Sequence, residues 1–265
     1  MPISSTMRRL LFAMALLLTP SLAWAQIAVT SVGAQVNTSG TTITQTITAP
    51  LGALIVVVVD DSTATTTGTV SDSVNAGNYS HGTAVQLGRN GGGAGSANYY
   101  YMPNSAALTG ATITYTTTGG ANSKCISTLY ATGIRTSLPL DTNVLATLQL
   151  NSVSANPAFS LTSGTPSVSG DLMIAFTAME GYTGGPSNPL SQDTGNGWTV
   201  PPAFVVDSSN FGCYLFGGYQ VNAGSGTKVY APGNSGLLSI FGAAFIIGFE
   251  AIAATTSPFI FSTFP

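Results

Sequence analysis

Gly52-Ala53-Leu54-Ile55-Val56-Val57-Val58-Val59 opens a segment that returns as Gly170-Asp171-Leu172-Met173-Ile174-Ala175-Phe176-Thr177, and this recurrence decides the fold. A glycine followed by an unbroken apolar run of strand length reads as a β-strand covered on both faces. Three further matches follow in the same order. The turn Asp72-Ser73-Val74-Asn75-Ala76-Gly77-Asn78-Tyr79 returns as Asp193-Thr194-Gly195-Asn196-Gly197-Trp198. Tyr99 to Tyr115 match Tyr214 to Tyr230 without a gap, and the strand Ile126 to Ile134 matches Gly242 to Ile252. An ordered self-similarity at a period of about 118 residues implies a duplicated structural unit, because short solenoid repeats recur every 20–50 residues.

Working outward, β-branched and aromatic runs separated by Gly, Asn, Ser and Pro supply the remaining strands. Thr41 to Thr48 alternates so that Ile43 and Ile47 share one face. Tyr99 to Tyr101, Ala111 to Thr116 and Cys125 to Tyr130 complete the first unit. The second adds Phe204 to Val206, Tyr214 to Phe216, Thr227 to Tyr230 and Ala243 to Phe249. Helical periodicity is absent outside the N-terminus. The expected fold is all-β: two tandem antiparallel β-sandwich units related by internal duplication, Ig-like or jelly-roll, each burying its own core. The divisions are 1–25 signal peptide, 26–135 first unit, 136–165 connector, 166–254 second unit and 255–265 an apolar C-terminal tail. Alternating Leu145, Leu148 and Leu150 predict that the connector pairs into a sheet, and Val56, Val58, Ile113, Ile126, Ile174, Phe176, Val229 and Phe245 are the expected core.

Met7-Arg8-Arg9, the apolar Leu10 to Leu18 and the small-x-small Ala23-Trp24-Ala25 read as a cleaved export signal, with Gln26 as the mature N-terminus. Secretion or the cell surface is therefore expected, the periplasm being the other exported address. No transmembrane helix is expected beyond the signal, since the longest apolar run, Leu237 to Phe249, is short and interrupted by Gly242 and Gly248. After cleavage four basic groups remain, Arg89, Lys124, Arg135 and Lys228, against nine acidic ones. So few cations cannot form a phosphate-binding patch, which argues against nucleic acid as a partner.

The order Gly-Asp-Leu plus apolar strand, Val-x-Asp-Ser…Gly-Asn turn, aromatic strand, Thr-rich hairpin and a final strand followed by Pro139-Leu140-Asp141 resembles a family of uncharacterised β-sandwich repeats in secreted bacterial and phage-borne proteins. The resemblance covers Gly52 to Ile252 and implies a fold, with no catalytic residues to carry over. The first repeat departs from it with Ala53 in place of Asp171 and with Asn75-Ala76 inserted in its turn, and neither departure suggests a gained site.

Catalysis is judged by subtraction. His81 is the sole histidine, which leaves a triad or a multi-histidine metal site one candidate. Gly233-Asn234-Ser235-Gly236-Leu237 lacks the last glycine of a nucleophile elbow. Asp60 and Asp61, adjacent on a strand, point to opposite faces and make no carboxylate pair. Glu180 has no partner at glycosidase spacing, although Asp193 and Asp207 are available. No cofactor, no metal and no enzymatic activity are expected, and Asp72 and Asp193 read as turn caps. Cys125 and Cys213, the two cysteines of an exported chain, are either a disulfide stapling one unit to the other or two buried thiols.

Tyr182, in a Gly-Pro loop, and Trp198 are the candidate ligand-binding residues, since sugar faces stack on rings. Trp198 also aligns with Tyr79, which makes packing its competing role. Two functional readings follow: a secreted binding or adhesive module for a glycan or cell-surface polymer, and a structural subunit of a virion, surface fibre or surface layer that self-associates. A secreted hydrolase using His81 or Glu180 is the third.

Overall fold

The computed structural model describes residues 26–252 apart from 38, 63–66, 89–94, 122, 154–156, 169, 180–189, 192, 194, 202–205, 209–212 and 235–239. The signal, the loop of Tyr182 and Glu180, and the C-terminal tail lie outside the described residues. Within them every regular element is a β-strand; all ladders are antiparallel and no sheet closes into a barrel.

Two large sheets form the middle of the molecule. The first joins β1 (Ala28–Asn37), β9 (Lys124–Thr132), β3 (Leu54–Asp61), β7 (Ser96–Met102) and β5 (Ser80–His81) in that order, with β6 (Val85–Gln86) also on β7. The second joins β10 (Ala146–Val153), β18 (Ile240–Phe249), β12 (Asp171–Met179), β15 (Cys213–Ala223) and β14 (Val206–Ser208). An outer sheet of β2 (Thr42–Ala49), β8 (Leu108–Thr116) and β4 (Thr69–Asp72) covers the first. Two short ladders lie over the second: β11 (Leu161–Thr162) with β16 (Val229–Tyr230), and β13 (Leu190–Ser191) with β17 (Gly233–Asn234).

The period of two along each strand assigns its side chains to these layers. Leu54, Val56 and Val58 enter a central core with Leu172, Ile174, Phe176, Phe245 and Ile247, while Ile55, Val57 and Val59 face Ile43, Ile47 and Ile113 of the outer sheet. On the far side Met173, Ala175 and Met179 pack with Trp198, Tyr214, Phe216 and Tyr230. A strand covered on both faces is apolar along its interior, which is why Leu54 to Val59 and Leu172 to Phe176 read as continuous runs. Each half buries a core of its own, one between the first large sheet and the outer sheet and one on the far side of the second large sheet, and the two large sheets share a third, which was not expected, because both surfaces of β3 and of β12 are apolar. All the expected core residues are buried except Val229, which is half-buried.

Strand order and register run alike in the two large sheets. Leu54 pairs with Ala131 and Leu172 with Phe249; Ile55 pairs with Met102 and Met173 with Gln220, each partner lying 118 positions further on. The same ladders correct the match of Tyr99 to Tyr214. Tyr99 pairs with Val58, whereas Tyr214 pairs with Met179 and Gly217 takes the place opposite Phe176. The sequence match is thus displaced by three residues on the ladder, and an odd displacement moves a ring to the other face: Tyr99 lies in the central core, Tyr214 in the layer beyond the second sheet. Tyr100 faces the outer sheet and Tyr99 and Tyr101 the central core, as alternation requires.

Residues 146–153, read as connector, form the border strand of the second large sheet. Leu150 points inward but Leu145 is exposed, because the inward set begins at Val144. The matching border strand of the first sheet, β1, went unread, since its apolar residues Val29, Val32 and Ala34 pack on two different cores across a register shift between Ser31 and Gly33, which breaks the alternation.

Candidate functional site

At the end of the sheets where β3 finishes, three ionisable side chains are fully buried: Asp60, Asp61 and Lys124. Asp61 and Lys124 stand opposite each other on β3 and β9. Asp61 Oδ2 accepts the Tyr115 hydroxyl at 2.8 Å from the outer sheet, and Lys124 Nζ donates to the Gly40 carbonyl at 2.6 Å. Asp60 turns the other way and accepts the Tyr214 backbone N–H at 3.2 Å from the second large sheet. The opposite facings expected of the two aspartates hold, and each ties a different layer to β3. Burial pushes the Lys124 ammonium down, with the Asp61 charge opposing it. Burial, then the charge of Asp61, pushes the Tyr115 phenol far up, so it stays a hydrogen-bond donor.

Beside this cluster Cys125 of β9 and Cys213 of β15 are joined by a disulfide, with Cα atoms 6.0 Å apart, across the central core. Of the two alternatives for these cysteines the structure shows the bridge, and it staples the first large sheet to the second.

A second buried group lies at the opposite end. Asp171 begins β12 and Asp141 closes the turn after Leu140, which bridges to Phe249. Asp141 accepts the N–H of Asn143 at 3.0 Å and of Ser167 at 2.6 Å. Burial, reinforced by the adjoining Asp141 carboxylate, pushes the Asp171 carboxyl up to about 7. The sequence flagged Asp171 only as a departure from Ala53; the missed signal was a second aspartate, Asp141, in a short Pro-Leu-Asp turn.

The turn aspartates are caps. Asp72 accepts the N–H groups of Val74 and Asn75 at 2.7 and 2.6 Å, and Asp193 those of Asn196 at 3.2 Å and Ala231 at 2.6 Å. The amide of Asn75 or Asn196 returns to the same carboxylate in each turn.

Of the candidate ligand-binding residues, Tyr182 lies outside the described residues. Trp198 is 2% exposed, donates its indole N–H to the Val229 carbonyl at 2.6 Å and meets the Tyr230 ring edge-on at 5.7 Å. Its ring offers no open face for stacking on a sugar, so the structure corrects this assignment to packing; Tyr79, its counterpart in the first turn, is equally buried and bonds Asp72 at 2.8 Å. His81 is exposed on β5, its Nδ1 2.8 Å from the Gly82 carbonyl and its ring tilted against Tyr100. Among the described residues no group of three or more His, Cys, Asp or Glu is placed to hold a metal ion. No protein-family model, curated protein or solved structure matches this chain.

Proposed function

We propose that the chain is an exported, non-catalytic β-sandwich protein, built by internal duplication, that serves as a structural subunit assembling with copies of itself. The observation that carries this reading is the character of the long border strands. Among the described residues β1 and β10 each have one ladder partner, β9 and β18, and neither strand contains a charge or a proline. Lysine, proline and inward charge are among the usual protections of a free edge and are missing from both, which leaves a β-bulge as their one protection and the rest of each edge suited to pairing with another chain. Each strand has a register shift, between Ser31 and Gly33 and between Leu150 and Val153, which leaves the other part of its ladder regular for pairing. The shared strand order and register of the large sheets support the duplication, and two facing sandwiches with a common core support the sandwich reading.

Size-exclusion light scattering on residues 26–265 over a range of concentrations tests the assembly. Oligomers that revert to monomer in a Thr30→Lys, Thr147→Lys double variant are the expected result, both threonines being exposed on these edges. A wild-type monomer at every concentration overturns it. Glycan or surface-polymer binding is the second reading, and with Trp198 buried it rests on Tyr182: retention on a polysaccharide resin that Tyr182→Ala abolishes would favour it.

A further inference from the structure

We propose that residues 253–265, which follow Ile252, fold back over the end of the sandwich where β3 and β12 begin and cover an apolar surface there. Both strands begin at one end because β9 runs past Leu54, β18 runs past Leu172, and beyond those pairs Ile134 bridges to Ala251. Large hydrophobic side chains are exposed at this end: Leu51 at 75% and Leu138 at 82%, together with Val168 and Ile252. Val221 is exposed beside the start of β12, where Ala223 pairs with Asp171. Val74 joins them, since the Asn75 amide bonds Ser105, whose N–H donates to the Ala53 carbonyl. At the opposite end Val36, next to Cys125 on the ladder, is the exposed large hydrophobic among the described residues. Apolar side chains exposed singly are ordinary, whereas a gathered set marks a surface that something covers.

The loops carrying these side chains are tied together. Ile252 N–H donates to the Gly133 carbonyl at 2.9 Å, Glu250 N–H to the Pro139 carbonyl at 2.7 Å, and Ser167 N–H to Asp141 at 2.6 Å. Leu138 is held outward against its own preference. Its φ is 47°, a region costly for any residue with a Cβ, and the proline after it narrows its choices further. Pro139 is buried and its carbonyl is engaged, so the loop over-determines the leucine and presents it to water. Strain of this kind collects where a chain clamps something.

Sequence, reach and charge choose the occupant. Residues 253–265 contain Phe259, Ile260, Phe261 and Phe264 and no charged side chain. They depart from Ile252, itself part of the surface. Thirteen residues reach about 45 Å when extended. The five strands of a large sheet span about 20 Å at their usual spacing, so the segment can cross this end. Arg135 and Glu250 pair with each other there and leave no net charge to repel it. A tethered segment meets the surface at an effective concentration of roughly millimolar, which places it ahead of a second copy or a lipid surface. The contact does not depend on edge pairing between copies.

Disulfide trapping tests it in the full mature protein carrying Thr30→Lys and Thr147→Lys, so that blocked edges keep the outcome separate from self-association. Leu138→Cys, at an exposed position, is combined in turn with Phe259→Cys, Phe261→Cys and Phe264→Cys, with Cys125 and Cys213 left bonded. Mild oxidation of dilute protein should give, for at least one pair, a monomer lighter by two hydrogens whose peptide map joins the two new cysteines. Cross-linked dimers without that monomer, or no bridge in any pair, overturn the proposal. A second measurement needs no new cysteine. Phe259→Ser with Phe261→Ser should uncover the surface and raise ANS fluorescence about twofold or more over the wild type, since the dye reports exposed apolar surface. An equal or lower signal overturns the proposal, as does co-sedimentation of the wild type with phosphatidylcholine vesicles, which would give the segment to a lipid surface.

Discussion

β3 and β12 hold the same place in their sheets, each between a long neighbour on one side and an aromatic strand on the other, yet they carry buried acid at opposite ends. β3 finishes in Asp60 and Asp61; the corresponding end of β12 is Ala178 and Met179. β12 begins with Asp171, where the first unit has Ala53. The interior of a doubly covered strand is fixed by hydrophobic burial, but its ends are fixed by what arrives to meet them. At the end of β3 a lysine, a phenol and a backbone N–H arrive; at the start of β12 another carboxylate arrives. The first end is held by opposite charge and neutral donors, whereas at the second burial and the neighbouring carboxylate push the acid up.

Opening the disulfide tests whether those two ends belong to one cooperative body. The bridge joins positions 88 residues apart, and closing a loop of that length stabilises by about 4–5 kcal/mol on chain-entropy grounds. Reduction, or the Cys125→Ala, Cys213→Ala variant, should lower stability by most of that amount. A loss below about 1 kcal/mol, on the same scale, would show that the shared core alone sets the distance between the sheets.

Next in size is the core itself. Phe176 and Phe245 stack at 4.6 Å between the large sheets, so Phe176→Ala should cost about 3–5 kcal/mol, against about 0.5–1.5 for Ile113→Val in the outer layer. Unfolding followed by Trp198 fluorescence, which reports the second half, and by near-ultraviolet tyrosine signals, which are weighted to the first, should give one coincident transition. Two separated transitions would restore the picture of independent units.

The apolar frame was legible because β3 and β12 are buried on both faces and every residue of such a strand carries the same signal. The disulfide alternative and the turn caps could be read from export and from Asx chemistry at Asp72 and Asp193. What could not be read was the pairing of layers. Leu54 and Leu172 enter a common core, and a linear pattern does not say which surface of β3 meets which surface of β12. Register failed at Tyr99 and Tyr214 for a related reason: the rings fill different layers, and similarity of residue type outweighed parity. Lys124 is only one of four cations in the sequence until β3 places Asp61 across from it, and Trp198 stays open between platform and packing until the Val229 carbonyl is seen against its N–H.

The end of β3 that meets Lys124 can be probed without changing any charge. Tyr115→Phe removes the hydroxyl from Asp61 Oδ2 and leaves the ring packed against Tyr100, 5.8 Å away. A hydrogen bond to a buried charged group is worth about 1.5–3 kcal/mol, which is the loss expected in the denaturant midpoint at neutral pH. A change within about 0.5 kcal/mol, the size expected of a surface substitution, would place the support of Asp61 on Lys124 alone.

The smallest effect compares the two turns. Burial raises the Asp72 carboxyl, but the donors of Asn75, Val74 and Tyr79 together outweigh it and hold the group below its usual range. A carboxylate stabilised in the folded state contributes above its unfolded value near 4 and loses that contribution as pH falls through its lower folded value. Asp72→Ala should therefore cost about 1–2 kcal/mol at pH 7 and progressively less as pH falls below the unfolded value near 4. Asp193→Ala removes an acceptor of the Asn196 N–H at 3.2 Å, the Asn196 amide and the Ala231 N–H, three donors against the four on Asp72, and should cost somewhat less at neutral pH. The turn of Asp193 also anchors the chain beside Trp198, so its loss should redden the indole fluorescence, while Asp72→Ala should leave it unchanged. Equal fluorescence shifts in both variants would mean that the turns are coupled through the shared core, and the two halves would then respond as one body even at their outermost loops.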